Sequence, residues 1–239
     1  MRLSVIIPTY NGEGKIKETI FSTRNYLARQ SYDWEIIVVN DGSTDRTAEV
    51  VRECEAQIPE LKFINNEANH GKGFAVRRGM LAASGESRLF MDDDNSTRIE
   101  EIEKFWPHTR EAKVIIGSIN IEGALVQEGA QWYRRFLGNL AKYIIRAVSG
   151  LWEIKDTQRG FKLFSASAAE AIFSKLTIER FGFDIETLVL AKKLGLKIQE
   201  VPIRWNNPAA SSVKLASYFA TLKELFQIRW NLWRGWYNK

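Results

Sequence analysis

The chain has 239 residues and 45% hydrophobic content, which is enough to fill the core of one large α/β domain. Its apolar runs, such as residues 3–8, are too short to span a bilayer, and the first residues lack the pattern of a signal peptide. A single cysteine excludes an intrachain disulfide. These features favour a soluble or surface-bound cytoplasmic protein. The formal net charge of +5 favours an anionic partner and leaves nucleic acid, an anionic membrane and a phosphorylated substrate open.

Predicted strands and helices alternate through the N-terminal part of the chain. Runs of β-branched and apolar residues predict strands over residues 3–10, 34–39 and 61–64. Apolar residues at helical spacing predict a helix after each strand, over residues 16–26, 47–56 and 74–83. Units of this kind predict a doubly wound, mostly parallel sheet that helices cover on both faces.

Two of the connecting loops carry candidate ligand groups. Asp41 lies at the mouth of the second strand, ahead of the Ser and Thr residues that suit the start of the next helix. Lys72 stands between Gly71 and Gly73 at a predicted helix start, where free amide donors and one ammonium could cradle a phosphate. His70 is predicted to be an ordinary loop residue.

The fourth predicted strand ends in three carboxylates, Asp92, Asp93 and Asp94. Adjacent carboxylates repel one another unless a cation lies among them, and Asp92 and Asp94 point the same way in an extended backbone. This arrangement predicts a Mg²⁺ or Mn²⁺ site, whose usual second partner is a substrate phosphate. The alternative is an acidic turn exposed to solvent. Because ligands gather at the carboxyl ends of parallel strands, the cleft is predicted where Pro8, Asp41 and Asp92 converge.

The second half of the chain continues the alternation less regularly. Helices are predicted over residues 99–106, 131–151, 165–173 and 184–194, strands over 113–118 and 196–203, and a mobile segment over 206–212. The helix 131–151 has an apolar face and only basic charges, which suits an anionic membrane surface or a lipid phosphate as well as a helix that covers the sheet.

The C-terminal residues form a second predicted unit. The domain is predicted to occupy residues 1–212, followed by an amphipathic helical tail over 213–239. Its tryptophans and basic residues suit the headgroup region of a bilayer. Docking on the core or on a second subunit is the alternative, and the oligomeric state is left open.

Four motifs, in this order and spacing, resemble the family-2 glycosyltransferases of GT-A fold: Val5 to Asn11, Val38 to Asp45, Asn69 to Gly73 and Met91 to Asp94. Two later motifs, Asp156 to Phe164 and Glu200 to Trp205, are similar to the branch that moves one sugar onto dolichyl or polyprenyl phosphate. The sequence departs from the family at Gly12, where glutamate is common and the adjacent Glu13 is taken as its substitute, at Ile119, and at Asn206 and Asn207, where arginine is common.

The resemblance implies roles for individual residues. The nucleotide base and ribose would be held by Pro8, Tyr10, Val39 and Asp41, and the donor would also be bound by Glu13 and Lys72. The donor diphosphate and the metal would be held by Asp92, Asp93 and Asp94, with Asp92 and Asp94 as metal ligands. The acceptor phosphate would meet Arg134 or Arg135, and phosphate oxygens would meet Lys162 or Lys214.

The resemblance also implies a reaction. It is an inverting, metal-dependent transfer of a single sugar from UDP-glucose, or next from GDP-mannose, to a polyprenyl phosphate, by a protein peripheral on the cytoplasmic face of a membrane. One rival is transfer to a saccharide acceptor. A non-catalytic nucleic-acid module is another, but clustered carboxylates would repel its phosphates, so no nucleic-acid partner is expected.

Overall fold

The computed structural model describes residues 2–127, 143–206 and 215–238, and the side chains of 215–219 lie outside that description. In the first half, four strands pair in parallel in the order β3-β2-β1-β4. They are β1 (Arg2–Thr9), β2 (Asp33–Asn40), β3 (Leu61–Asn65) and β4 (Ser87–Met91). The connecting helices are α1 (Ile16–Leu27), α2 (Thr47–Glu55) and α3 (Lys72–Ala82).

The second half adds three strands to the same sheet, in the order β4-β7-β5-β8. They are β5 (Val114–Ser118), β7 (Phe161–Ser165) and β8 (Ile198–Pro202). The strand β7 runs antiparallel to both of its neighbours, so the sheet is mostly parallel, as predicted, with one reversed strand. Two short strands, β6 (Leu125–Gln127) and β9 (Arg204–Asn206), form a separate parallel pair. The helices are α4 (143–149), α5 (Ala166–Phe173), α6 (Phe183–Lys193) and α7 (Leu215–Trp233).

The predicted helix over 99–106 is wrong in type. The chain forms two 3₁₀ segments instead, Ile99–Lys104 and Trp106–His108. The buried residues Ile99, Ile102 and Phe105 recur every three positions. That spacing matches the three residues per turn of a 3₁₀ helix, so all three side chains face the core.

Alternate residues of each strand enter two different cores. Ile6, Val39 and Phe90 belong to the cluster under α3, α5 and α6. Val5 and Val38 belong to the cluster under α1 and α2. Because successive strand side chains point to opposite faces, this division shows that both faces of the sheet are covered, as predicted.

The C-terminal helix docks on the first of these cores. Leu225, Ile228 and Tyr237 are buried there. The Tyr237 hydroxyl donates to a carboxylate oxygen of Glu186 at 2.6 Å, and the Gly182 amide donates to Glu224 at 2.7 Å. Docking on the core, one of the alternatives for the tail, is therefore observed. The proposed boundary at 212 falls outside the described residues. Within the described ranges, every helix is too short or too polar to span a bilayer.

Candidate active site at the carboxyl ends of the strands

The loops that follow β1, β2 and β4 meet at one edge of the sheet. These strands are adjacent and parallel, with Thr9 opposite Asn40 and Ile6 opposite Phe90. Their carboxyl ends therefore bring Pro8, Asp41 and Asp92 to the same edge, which is where ligands bind in open α/β sheets.

The loops after β1 and β2 are joined by hydrogen bonds. The Asn11 amide donates to Ser43 Oγ at 2.8 Å, and the Thr44 amide donates to Asn11 Oδ1 at 2.9 Å. Asn11 has a φ of 49°, a left-handed conformation that asparagine tolerates better than most residues. The Gly12 amide donates to Thr47 Oγ1 at 2.8 Å. The first loop is thus held in place by the second.

The residues assigned to the nucleotide lie in different environments. Tyr10 is 47% exposed, so its ring is available at the mouth of the cleft. Pro8 is buried in β1, and Val39 is 0% exposed, with its side chain packed beside Gly79 of α3, so both residues are buried rather than exposed to the cleft. Glu13 accepts a hydrogen bond from the Arg46 amide at 2.9 Å, which places its carboxylate at the start of α2.

Asp41 organises the loop that precedes α3. Its buried carboxylate accepts hydrogen bonds from the Gly71 amide at 2.7 Å, the His70 amide at 3.2 Å and Asn66 Nδ2 at 2.9 Å. A carboxylate that accepts several such bonds fixes the backbone around it. Asp41 therefore sets the position from which Lys72 projects.

The glycines beside Lys72 are explained by packing. A Cβ at Gly71 would lie 2.5 Å from the Glu179 carbonyl oxygen, and Gly71 has a φ of +122°. A Cβ at Gly73 would lie 2.7 Å from the Cβ of Phe183, and the Phe74 amide donates to the Glu179 carbonyl at 3.0 Å. The absence of side chains at these two glycines thus lets the segment 178–183 pack closely against the start of α3. The sequence alone suggests a different reason for the same glycines, namely room for a bound phosphate.

The three adjacent carboxylates have different partners. Asp92 Oδ1 accepts from Lys72 Nζ at 2.5 Å, and Asp94 Oδ1 accepts from the Ser96 amide at 2.9 Å. Asp93 is buried, where it accepts from Lys15 Nζ at 2.7 Å and Thr9 Oγ1 at 2.6 Å. Burial raises the pKa of Asp93, and the Lys15 ammonium lowers it only in part. Asp93 therefore connects the loop to β1 and to the start of α1. Asp92 pairs with Lys72 instead, and Asp94 bonds to the backbone of its own loop.

The backbone at Gly160 confines the Asp92 side chain. The Asp92 amide donates to the Gly160 carbonyl at 3.1 Å. A Cβ placed at Gly160 would overlap the carboxylate carbon and both carboxylate oxygens of Asp92. Only glycine at position 160 leaves room for the Asp92 carboxylate where it lies.

A buried ion pair lies next to this carboxylate. Lys162 is 1% exposed, and its ammonium donates to Asp184 Oδ1 and to the Arg159 carbonyl at 2.5 Å each. Burial raises the pKa of Asp184, and this effect outweighs the lowering by the charge of Lys162 and the smaller lowering by that of Lys72. The ammonium of Lys162, assigned to phosphate oxygens from the resemblance, is thus already paired with a carboxylate.

Lys72 also belongs to this charged cluster. Burial opposes its charged form, but the carboxylates of Asp92 and then Asp184 outweigh burial and raise the pKa of Lys72. Its ammonium lies 5.3 Å from the centre of the Phe90 ring. The charges therefore alternate from Asp92 through Lys72 and Asp184 to Lys162.

Sequence reasoning assigned no role in this site to Asp184 or Lys15, nor to Thr9 and Gly160, although the last two lie within the quoted motifs. A signal existed for Asp184, because it and Glu186 interrupt an otherwise apolar stretch at the start of α6. The role of Gly160 could not be read from its motif, since it depends on a side chain 68 positions away in the sequence. Arg134, Arg135 and Lys214 lie outside the described residues.

The branch motif at 156–164 closes the other side of the site. Asp156 is buried and accepts hydrogen bonds from the Ile119 amide at 3.2 Å and from Arg159 Nε at 3.3 Å. Its own amide donates to Glu200 at 3.0 Å. The Arg159 guanidinium lies 4.7 Å from the ring centre of Trp205. These contacts join the ends of β5, β7 and β8 beside Asp92.

The donor set fits a divalent ion that is completed by a substrate. Residues 2–127, 143–206 and 215–238 contain no group of three or more acidic, histidine or cysteine side chains that could hold a metal alone. Mg²⁺ is commonly bound through one or two carboxylates, with substrate phosphates and water supplying the rest. Asp92 and Asp94 would supply those carboxylates, although residues 93–94 form a turn and not the extended backbone expected from the sequence.

Comparison with known proteins agrees with this geometry. Residues 4–173 match the family model described as glycosyl transferase family 2. A dolichyl-phosphate beta-glucosyltransferase of Trichomonas vaginalis is 34% identical, over 97% of this chain and 75% of that protein. The dolichyl-phosphate beta-glucosyltransferase of Homo sapiens is 31% identical, over 95% of this chain and 75% of that protein.

The fold also has solved counterparts. Glucosyl-3-phosphoglycerate synthase from Mycobacterium tuberculosis, in complex with Mn²⁺, UDP-glucose and phosphoglyceric acid, superposes with a TM-score of 0.72 at 20% identity, covering 95% of this chain and 78% of that one. This likeness confirms the predicted GT-A type of α/β fold. With the family match over most of the chain, it leads to one conclusion: the chain belongs to glycosyltransferase family 2 and is a glycosyltransferase enzyme.

Proposed function

We propose that this enzyme moves one glucosyl group from UDP-glucose to dolichyl phosphate or another polyprenyl phosphate, with inversion and with Mg²⁺ or Mn²⁺. The observation that carries the proposal is the placement of Asp92 and Asp94 just after β4, with Asp92 paired to Lys72, on the same edge as Asp41. The names of the relatives support the acceptor and the sugar. The neighbouring structure with Mn²⁺ and UDP-glucose supports the metal and the donor, and GDP-mannose is the second candidate donor.

The donor half of the site has defined roles in this proposal. Asp92 and Asp94 would hold the divalent ion, which when bound stabilises the charge that develops on the departing diphosphate. Lys72 would place its ammonium next to the same phosphates, because the ammonium already donates a hydrogen bond to the Asp92 carboxylate. Tyr10 offers an exposed ring to the base, and Asp41 acts as a positioning residue through the loop before α3.

The acceptor half relies on the substrate's own ionisation. A phosphate monoester has a second pKa of about 6, so its oxygen is largely ionised near neutral pH and can attack without a side chain that removes a proton. Asp156 is consistent with this, because its carboxylate already accepts bonds from the Ile119 amide and Arg159. On sequence grounds, Arg134 and Arg135 remain the candidates for the acceptor phosphate, and Lys214 remains a candidate for phosphate oxygens.

A transfer assay separates this proposal from its rival. Purified enzyme with Mn²⁺ and labelled UDP-glucose or GDP-mannose would be given dolichyl phosphate, dolichol or free oligosaccharides, and labelled lipid would be extracted. Label is expected only with dolichyl phosphate, and Asp94→Asn should abolish it while leaving the fold intact. Label on saccharides, with none on dolichyl phosphate, would favour transfer to a growing glycan.

We also propose that the enzyme lies peripherally on the cytoplasmic face of a membrane. One face of α7 and the residues after it leave large aromatic side chains exposed; Trp233 is 76% exposed. These residues are Phe226, Trp230, Trp233 and Trp236. The exposed charges around them are basic, from Lys223, Arg229 and Arg234. Aromatic rings among basic groups suit the headgroup region of an anionic bilayer.

Vesicle binding tests this location. The enzyme should co-sediment with vesicles of phosphatidylcholine and phosphatidylglycerol more strongly than with phosphatidylcholine alone. Replacing Trp230 and Trp233 by serine should remove most of this binding. The matched control replaces two exposed leucines outside α7, Leu81 and Leu194, and should bind as the parent does. Equal losses in both double variants would contradict a specific role for α7.

A further inference from the structure

The predicted metal ligand Asp92 is already paired with the ammonium group of Lys72. Lys72 Nζ lies 2.5 Å from Asp92 Oδ1, and both side chains are 28% exposed. A divalent ion and an ammonium in contact with one carboxylate repel each other, because like charges at such distances interact strongly even at an effective dielectric constant of about 20. Binding of a metal to Asp92 therefore competes with Lys72.

The surrounding structure fixes the origin of the Lys72 side chain. The preceding Gly71 amide is bonded to Asp41, and the Phe74 amide is bonded to the Glu179 carbonyl. A four-carbon stem nevertheless lets a lysine ammonium move without any change in the backbone. Lys72 can therefore leave Asp92 only by swinging within the cleft, where the donor diphosphate would lie.

A neighbouring pair provides the contrast. Lys15 Nζ lies 2.7 Å from Asp93 Oδ1, and the Asp93 side chain also accepts from Thr9. Asp93 is more buried than Asp92 and is turned toward β1 and α1. Adjacent positions thus carry two lysine–carboxylate pairs, of which only the Lys72 pair involves a proposed metal ligand.

We propose that Lys72 is a built-in counter-ion that closes the metal site of the free enzyme and makes binding of the divalent ion conditional on the donor. When metal and nucleotide diphosphate bind together, the diphosphate supplies negative charge for both cations, so Lys72 exchanges its carboxylate for phosphate oxygens. Because coupling between two ligands is reciprocal, the metal raises donor affinity by the same factor. This inference rests on the proposed function.

The test measures Mn²⁺ binding directly, by calorimetry or by the magnetic-resonance signal of free Mn²⁺, with and without UDP. Without nucleotide, Lys72→Met should bind Mn²⁺ at least about fivefold more tightly than the parent, the lower end of typical coupling between sites. Lys72→Gln, a second variant in case the first folds poorly, should behave alike. Lys15→Met should show no such gain, and adding Asp92→Asn to Lys72→Met should remove it.

The outcomes separate the two proposals. The counter-ion role alone would be overturned if parent and Lys72 variants bound Mn²⁺ equally well without nucleotide while UDP still promoted Mn²⁺ uptake by the parent. An equal gain in Lys15→Met would also overturn it, because the effect would then be general electrostatics. A parent enzyme that takes up no Mn²⁺ with any nucleotide would instead contradict the metal in the proposed function.

Discussion

Replacing Gly160 by alanine tests whether the position of Asp92 controls catalysis. The new Cβ would overlap all three carboxylate atoms of Asp92, whereas ordinary contacts of this kind are 3.4–4 Å. The carboxylate must therefore move by about 1 Å or more, and misplacement of that size can lower a rate about 100-fold, or about 2.7 kcal/mol of transition-state stabilisation. The free energy of unfolding should fall by only about 1–3 kcal/mol, as for other overpacked sites.

The assay measures kcat/KM for sugar transfer together with thermal unfolding. Gly14→Ala is the matched control, because its Cβ would have nothing within 4 Å and its backbone requires no positive φ. The control should keep parental kcat/KM and stability. Parental kcat/KM in Gly160→Ala, at any stability, would refute the idea that the Gly160 backbone sets the Asp92 carboxylate for catalysis.

Three further predictions concern stability. Glu35 is buried, and although burial raises its pKa, hydrogen bonds from Lys62, Ser4 and Ser84 lower it from 4.5 to about 2. Its folded pKa is depressed, so about 3 kcal/mol of stability is present above pH 4.5 and is lost as pH falls toward 2. Glu35→Gln should lose this amount at pH 7 in urea unfolding. A difference in unfolding free energy between parent and variant that stays constant from pH 7 to 2 would contradict it. Asp184→Asn should cost about 3–5 kcal/mol by leaving the Lys162 ammonium buried without its carboxylate, whereas the apolar double variant Asp184→Leu with Lys162→Met should recover most of it; equal losses would argue against the pair. Tyr237→Phe should cost about 1.5–3 kcal/mol by removing a hydrogen bond to a carboxylate and should speed amide exchange in α7; unchanged exchange would mean that this bond does not hold the helix.

The N-terminal half of the fold is predictable because its signals are local. Each strand there is a short apolar run, each helix has its own spacing, and parallel pairing follows from their alternation. The direction of β7 has no such signal. A strand buried on both faces shows the same apolar run in either direction, so Phe161–Ser165 alone could not reveal that it is reversed.

Part of the candidate site was predictable from the sequence, namely the residues whose type has a direct chemical use at the carboxyl end of a strand. The carboxylates at Asp92 and Asp94 are such a case. The contacts that place them are not, because they join residues far apart in the chain: Gly160 lies against Asp92, and Lys72 reaches Asp92 only through the loop that Asp41 holds. The glycines at 71 and 73 show the reverse problem, since a phosphate loop and tight packing favour the same residue.

Calorimetric titration of the purified enzyme with UDP-glucose, in the presence of Mn²⁺ and again with a chelator, tests most directly whether donor binding depends on a divalent ion that Asp92 and Asp94 would hold. We expect binding that requires the divalent ion and that is lost in Asp92→Asn and Asp94→Asn, with the fold retained. Binding of equal strength with the chelator, or unchanged binding in both variants, would contradict it.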